Sequence, residues 1–300
     1  MCLVCQNEIS STITQLKICP EVTETQLFEL HFSGRLDNLQ ELDCSCCTSL
    51  QNLPLFSNLQ ELDCRHCTGL QTLPLFPNLQ ILYCSCTKLQ TIPLFPNLQK
   101  LYCGSCTGLQ SLPLFPNLQE LYCWDCTSLQ TISLLSNLQI LDCSYCTGLQ
   151  TLPSLPDLQE LHCWDCAGLQ TLPLLFNLQK LYCKGCTNLQ TIPLLPNLQI
   201  LYCQNCTGLQ TLPSLPNLLE LYCCSCTRLQ TIPLFPNLLF LYCYNCISLQ
   251  YSYIYHRTWT NEAFKKGMYS LYQVWKTWNT RRKRIKAVPP LPKVLLEKII

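Results

Sequence analysis

Glycine, methionine and charged residues are scarce in this chain of 300 residues. It contains 9 glycines and 2 methionines, and only 12% of its residues are charged. No run of about 18 apolar residues occurs, so the sequence predicts no membrane-spanning helix. The opening stretch, MCLVCQNEIS, has neither a basic segment nor a long apolar one, so we expect no secretory signal.

Cysteine and proline are abundant, with 27 and 20 residues, and the hydrophobic share is 48%. That share excludes a disordered chain, because enough apolar surface is present to offset the entropy of ordering. All 27 cysteines lie before residue 250. Residues 251–300 hold 11 Lys/Arg and 2 Asp/Glu, whereas residues 1–250 hold 8 and 16. A change of domain is therefore predicted near residue 250, and the cysteines are predicted to be reduced in a cytosol-like compartment.

A 20-residue pattern repeats along the chain and contains most of the cysteines. It reads L-Q-x-L-x-C-x-x-C-T-x-L-Q-T-[LI]-P-x-x-P-N, and we number its positions 1 to 20. Eleven repeats, numbered 1 to 11, open at Leu39, Leu59, Leu79, Leu98, Leu118, Leu138, Leu158, Leu178, Leu198, Leu218 and Leu238, and the third is one residue short. The predicted domains are an N-terminal cap (1–38), the repeats (39–250) and a C-terminal cap or tail (251–300). Leu27–Phe32 resembles positions 1–6 and suggests a degenerate repeat within the N-terminal cap.

The pattern resembles the leucine-rich repeat, L-x-x-L-x-L-x-x-[NC]-x-L. Cysteine replaces the third strand leucine and also occupies the Asn/Cys position, as at Cys103 and Cys106. The short period and the L-P-x-x-P turn are similar to the class found in bacterial effector proteins. The near-identical, cysteine-rich array is similar to leucine-rich-repeat proteins of giant, mimivirus-like DNA viruses. The resemblance covers residues 39–250 and implies a scaffold for protein–protein interaction.

The residues themselves predict the same architecture. Positions 4 and 6 are apolar on either side of a variable position 5, which is the alternation of a strand. Proline at position 16 in nine repeats and at position 19 in seven excludes a helical return segment. Each repeat buries its apolar face only against its neighbours. We therefore expect a leucine-rich-repeat solenoid of the α/β horseshoe class, with a curved parallel β-sheet on the concave side, an extended or 3₁₀ convex side and a helical C-terminal cap.

Twenty-two of the 27 cysteines occupy positions 6 and 9. Three interpretations are open: packing as small apolar residues, zinc binding through C-x-x-C pairs, and disulfides between adjacent repeats about 4.8 Å apart. Packing is favoured because a solenoid interior leaves no room for an ion, so no metal or cofactor is predicted. The cysteines outside both positions are the candidates for exposed thiols: Cys2, Cys5, Cys19, Cys46 and Cys224.

The variable positions of the exposed strand face carry the functional prediction. Tyrosine and tryptophan are enriched at binding hot spots because they are large, rigid and half polar. The predicted partner-binding residues are Tyr83, Tyr102, Tyr122, Trp124, Asp125, His162, Trp164, Asp165, Tyr182, Tyr202, Tyr222 and Tyr242. The alternative is that the tyrosines only stabilise the sheet by cross-strand stacking. No catalytic motif or glycine-rich phosphate loop is present, so the sequence predicts no enzyme.

The last 50 residues suggest further hypotheses. Phe264, Met268, Leu271, Trp275 and Trp278 have helical spacing and predict a capping helix. The basic run Arg281–Lys286 is a candidate for nuclear import or for binding nucleic acid or anionic lipid. Leu291–Ile300 resembles the opening of an F-box, which makes a ubiquitin-ligase substrate adaptor one alternative function. A structural, thiol-rich virion component is another. The predicted location is the cytoplasm, that of the host if the protein is viral.

Overall fold

A computed structural model describes Val4, residues 12–85 and residues 87–249. Within these residues twelve short strands form one sheet in chain order, and each pairs in parallel with the next. Helix α1 spans Glu24–Phe32. The strands are β1 Gln15–Lys17, β2 Glu41–Asp43, β3 Glu61–Asp63, β4 Ile81–Tyr83, β5 Lys100–Tyr102, β6 Glu120–Tyr122, β7 Ile140–Asp142, β8 Glu160–His162, β9 Lys180–Tyr182, β10 Ile200–Tyr202, β11 Glu220–Tyr222 and β12 Phe240–Tyr242.

The sheet register follows the sequence repeat. Strands β2–β12 each occupy positions 3–5, and equal positions of adjacent repeats are paired, as Leu121 with Leu141 and Leu141 with Leu161. Any position of the repeat therefore becomes a column running along the molecule. The parallel β-solenoid predicted from the repeats is confirmed by this register.

The interior consists of stacked columns from positions 1, 4, 6, 9, 12, 15 and 18. In repeat 5, Leu118, Leu121 and Leu129 are fully buried. At position 18 the rings of Phe56, Phe76 and Phe95 stack with centroid distances of 6.3 and 6.2 Å. Leucine fills the same position in repeats 5–9, at Leu135, Leu155, Leu175, Leu195 and Leu215. The core is thus continuous across repeats, so each repeat depends on its neighbours for burial.

The return segments contain turns and extended chain, and the described parts of repeats 1–11 contain no helix. Asparagine at position 20 holds this wall together by donating to a backbone carbonyl of the preceding repeat, as Asn117 Nδ2 does to Pro96 O at 2.8 Å. Leucine at position 17 is exposed and forms a column on this side of the molecule: Leu55, Leu75, Leu94, Leu114, Leu134, Leu174, Leu194 and Leu234. The prolines of positions 16 and 19 explain why this wall is extended.

The segment before repeat 1 differs from the expected degenerate repeat. Leu27–Phe32 lies in α1 and not in a strand. Thr23 begins the helix with a capping box, in which Gln26 N donates to Thr23 Oγ1 at 3.3 Å and Thr23 N donates to Gln26 Oε1 at 2.9 Å. The strand that joins the sheet is β1, where Leu16 pairs with Leu42. The helix prevails because the cap satisfies amide groups at its start.

The amphipathic stripe of Phe264–Trp278, the basic run Arg281–Lys286 and the F-box-like stretch Leu291–Ile300 lie outside the described residues. Within the described part of the chain, no helix has the length and apolar character needed to cross a membrane.

Candidate functional site

Positions 3 and 5 of β2–β12 form one side of the sheet, which we call the sheet face together with the adjoining positions 7 and 8. Within each strand position 4 is buried, while the flanking residues are at least partly exposed. All twelve predicted binding residues occupy positions 5, 7 and 8. The parallel register therefore brings them onto this one side of the sheet.

Aromatic side chains at position 5 form two stacks. The first joins Tyr83, Tyr102 and Tyr122 with centroid distances of 4.6 and 4.5 Å. The second begins with His162 on Tyr182 at 4.3 Å and continues through Tyr202, Tyr222 and Tyr242 at 5.1, 4.0 and 4.9 Å. Cross-strand stacking of this kind stabilises a sheet, so it is one role of this column.

Ion pairs at position 3 flank the centre of the face. Lys100 Nζ lies 2.9 Å from Glu120 Oε1, and Lys180 Nζ lies 2.9 Å from Glu160 Oε2. Burial raises the pKa of Glu160, but hydrogen bonds from Lys180 and His162 outweigh burial and lower it. Burial, followed by the charge of Glu120, raises the pKa of Tyr122 to about 12. At neutral pH the face therefore presents an ionised Glu160 on β8 and a neutral Tyr122 phenol on β6.

Two tryptophans at position 7 are fixed in place and still reach solvent. An added Cβ on Gly104 would collide with the Trp124 ring, so the Trp124 indole rests directly on the Gly104 backbone. Trp164 contacts His162 and Tyr182 with centroid distances of 5.9 and 6.5 Å. The exposed fractions are 39% for Trp124 and 38% for Trp164. Side chains already held in one rotamer lose little entropy when a partner binds.

Position 8 forms a left-handed bend beside each tryptophan. Asp125 and Asp165 have φ values of 57° and 51°. The bend directs the backbone N–H of Asp125 to Ser144 O of the next repeat at 2.7 Å. Left-handed backbone costs a non-glycine residue roughly 1–2 kcal/mol. The repeat-to-repeat hydrogen bond helps to hold this conformation, and the bend keeps a side chain at the edge of the face.

The paired cysteines lie beneath the sheet face. Cys126 Sγ donates to Cys103 O at 3.1 Å. A hydrogen bond to the Cys126 thiol, together with burial, raises the pKa of the Cys103 thiol well above its usual range. The same diagonal contact, from position 6 to position 9 of the next repeat, recurs at Cys123 with Cys146 and at Cys143 with Cys166. The closest thiol contacts thus join different positions, not the equivalent positions considered for disulfides.

The geometry of these thiols favours packing over metal binding or cross-linking. No disulfide joins any two cysteines in the described part of the chain. Among those same residues, no three metal-ligating side chains are grouped closely enough to hold an ion. The position-9 thiols instead donate to backbone carbonyls in the interior, as Cys186 does to Cys163 O at 2.9 Å. We therefore treat the two columns as part of the core.

We expect iodoacetamide to alkylate Cys46 in the native protein long before the cysteines at positions 6 and 9. Cys46 is exposed, whereas the thiols at positions 6 and 9 are buried and out of reach of the reagent. A hydrogen bond to Cys126, together with burial, also raises the pKa of the Cys103 thiol, and only the thiolate reacts. Peptide mass mapping before and after unfolding in guanidinium measures this difference. Equal labelling of Cys46 and Cys103 in the native state would contradict it.

The sequence prediction of an exposed Cys224 is wrong. This residue is only 5% exposed, and burial raises the pKa of its thiol to about 11. Short side chains at position 7, such as those of Ser144 and Cys224, stay close to the backbone, while Trp124 and Trp164 extend into solvent. Cys19 is partly buried, and Cys2 and Cys5 lie outside the described residues.

A polar groove of about 450 Å³ runs along the edge of the solenoid. Its lining consists of positions 2 and 20: Gln139, Gln159, Gln179, Gln199, Asp157, Asn177, Asn197 and Asn217. Asn177 and Asn217 donate to Pro156 O and Pro196 O, both at 2.9 Å. The asparagines thus link the return segments of adjacent repeats. None of the groove residues was predicted as a binding residue.

Comparison with known proteins gives structural likeness only. No protein-family model matches the chain, and no curated protein matches it. A leucine-rich repeat protein from Bacteroides ovatus is 16% identical with a TM-score of 0.41, covering 71% of this chain and 78% of that one. One from Eubacterium ventriosum is 11% identical with a TM-score of 0.42, covering 83% and 86%. The functional domain of InlJ from Listeria monocytogenes, which includes a cysteine ladder, is 19% identical with a TM-score of 0.25, covering 78% and 68%.

The first two of these structural neighbours are leucine-rich repeat proteins, and this chain is a parallel solenoid rich in cysteine. At such identities and TM-scores the likeness establishes no family membership. The assignment of the fold rests on the sheet register and on the burial of the repeat positions.

Proposed function

We propose that this chain is a non-enzymatic scaffold that binds a protein partner through the sheet face, taken as the concave side of the solenoid. The observation that supports this most directly is the pair Trp124 and Trp164, which are fixed by their neighbours and yet more than a third exposed. Exposed, rigid tryptophans are typical of interface hot spots. Tyrosine stacking explains the position-5 column but gives no reason for tryptophan in solvent.

The electrostatic surroundings of the tryptophans support a selective surface. Asp125 and Asp165 follow them directly in the chain, and the ion pairs of Glu120 and Glu160 lie on the neighbouring strands. Charged groups around aromatic anchors give an interface its specificity and orientation. The proposed binding residues are therefore those predicted from the sequence, with Trp124 and Trp164 at their centre.

We expect the double variant Trp124→Ala/Trp164→Ala to lose its protein partners. Removing one hot-spot tryptophan costs about 2 kcal/mol or more, which is roughly a thirtyfold loss of affinity. The measurement is an affinity pull-down from the native cell, followed by titration of each recovered partner. Circular dichroism and urea unfolding establish that the variant is folded.

The matched control is Leu134→Ala/Leu174→Ala on the opposite wall, where these leucines are 56% and 50% exposed. This variant also removes two exposed apolar side chains, and we expect it to retain the partners. If the folded tryptophan variant retains every partner, the sheet face is not the binding surface.

The functions suggested by residues 251–300 remain predictions. They include the F-box-like adaptor and the binding of nucleic acid or anionic lipid by Arg281–Lys286. The resemblance to proteins of giant DNA viruses, the virion role and the cytoplasmic location are predictions of the same standing.

A further inference from the structure

The aromatic column of the sheet face is interrupted at its centre by Asp142. This residue is paired in register with Tyr122 on one side and with His162 on the other. Since strands are about 4.8 Å apart, the two rings stand on strands roughly 10 Å from each other. A planar group between two rings needs about 3.5–4 Å on each side. The interruption is thus a slot, one repeat wide, with Tyr122 and His162 as walls and Asp142 as its floor.

The slot lies in a stretch of the chain that has no lysine or arginine of its own. Between Lys100 and Lys180 the sequence contains neither lysine nor arginine, but it contains Glu120, Asp125, Asp142, Asp157, Glu160 and Asp165. Lys100 and Lys180 bind Glu120 and Glu160, each from the side away from the slot. The Asp142 carboxylate accepts a hydrogen bond from Ser144 N at 3.0 Å, and among the described residues no lysine or arginine pairs with it. The slot therefore carries uncompensated negative charge.

The two other aspartates at position 5 show which groups such a carboxylate binds. Arg65 donates from Nε to Asp63 Oδ1 at 2.9 Å and from Nη2 to Asp63 Oδ2 at 2.6 Å. Its guanidinium carbon also lies 5.4 Å from the centroid of the Tyr83 ring in the next repeat. Asp43 is likewise paired with Lys17. The chain thus contains a complete arginine site made of a position-5 aspartate and an adjacent position-5 tyrosine.

Like the Asp63 site, the slot at Asp142 has a position-5 aspartate and an adjacent position-5 tyrosine, but it has no arginine. Arg65 stands at position 7 of its repeat, where the repeat of Asp142 has Ser144. The short Ser144 side chain is buried, 4% exposed, and leaves the carboxylate open to the face. A second ring, His162, adds an aromatic wall that the Asp63 site lacks. The charge and the two walls therefore complement a planar cation.

We propose that the slot at Asp142 binds an arginine side chain of a partner protein, with the guanidinium between Tyr122 and His162 and hydrogen-bonded to Asp142. The inference rests on the proposed function and names the chemical feature that its partner carries. Arginine is favoured over lysine because a planar guanidinium both stacks on rings and binds a carboxylate with two parallel hydrogen bonds.

The test uses the full-length protein and two synthetic peptides, acetyl-Gly-Arg-Gly-amide and the same peptide with citrulline in place of arginine. Citrulline keeps the planar shape and loses the charge. We expect NMR titration to show binding of the arginine peptide and at least about tenfold weaker binding of the citrulline peptide, since charge-assisted hydrogen bonds are lost. Asp142→Asn keeps the oxygen that accepts from Ser144 N. We expect this variant to weaken binding of the arginine peptide by a similar factor.

Asp63→Asn is the matched control, because it makes the same change in a repeat whose own arginine occupies the site. We expect it to leave binding of the arginine peptide unchanged. Equal binding of the arginine and citrulline peptides overturns the inference, as does unchanged binding to Asp142→Asn. A third variant replaces Arg281, Arg282, Lys283 and Arg284 by glutamine. If the arginine peptide binds only to this variant, a side chain of the chain's own basic run occupies the slot in the wild-type protein. The assignment of the slot to a partner is then wrong.

Different results would disprove the arginine site and the proposed function. If Asp142→Asn retains the partners that Trp124→Ala/Trp164→Ala loses, the face binds proteins but the slot takes no arginine from them. If the tryptophan variant retains every partner while the arginine peptide binds wild type and not Asp142→Asn, the slot is real but lies outside the partner interface.

Discussion

Phe76→Ala is expected to lower the free energy of unfolding by about 3–5 kcal/mol. The ring is fully buried and stacks between Phe56 and Phe95 with centroid distances of 6.3 and 6.2 Å. Because both neighbouring rings belong to other repeats with their own packing, they cannot move to fill the cavity. The lost contacts and the remaining cavity therefore both contribute to the cost.

Phe76→Leu is the matched control, and we expect it to cost less than about 1.5 kcal/mol. Leucine occupies position 18 in five other repeats, for example at Leu155 and Leu175, where it is fully buried. Urea unfolding followed by circular dichroism gives both values. A similar loss for the alanine and leucine variants would contradict this expectation, since it would show that the stacked rings contribute more than the volume they fill.

Leu141→Ala is expected to cost about 2–5 kcal/mol and to reduce the cooperativity of unfolding. Leu141 is fully buried in β7, the central strand of the repeats, and is paired with Leu121 and Leu161. Because each repeat is stabilised only by its neighbours, a weak central repeat separates the array into two halves. Hydrogen exchange should then show the amides of β6–β8 opening more readily than those of β3 and β11.

The control for this prediction is Leu134→Ala, which makes the same substitution at position 17 of the preceding repeat. Leu134 is 56% exposed, so we expect a change within about 0.5 kcal/mol. If both variants lose the same stability in urea, burial of position 4 is not what holds the sheet together.

The periodic part of the fold can be predicted from the sequence because the same residue pattern recurs in every repeat. Alternation at positions 4–6 predicts the strand, and the prolines at positions 16 and 19 predict the extended return. The structure has both in repeat 4, at β5 and in the return segment around Pro113 and Pro116. The columns that carry Tyr122 and Trp124 follow directly, since equal positions of parallel repeats align.

Features that depend on side-chain size or on a single departure from the pattern are harder to predict from the sequence. The leucines of Leu27–Phe32 suggested a strand, but the cap formed by Thr23 and Gln26 was the stronger local signal and marks a helix. The position of Cys224 in its repeat does not reveal its burial, because depth at position 7 depends on side-chain length. The break at Asp142 is visible in the list of position-5 residues, but the empty arginine site appears only by comparison with the contacts of Arg65.

The types of side chain buried in the core determine how the solenoid responds to acid. Among the described residues the buried side chains are apolar or cysteine, apart from Thr87 and Ser144. No carboxylate or imidazole is among these buried residues, so the described core adds no term to folding that changes as the pH falls. The Glu160 carboxylate, by contrast, lies on the sheet face, where partial burial would raise its pKa but hydrogen bonds from Lys180 and His162 lower it. As the pH falls through the pKa of Glu160, its ion pair with Lys180 on the sheet face is therefore lost, while the buried side chains beneath it keep their charge.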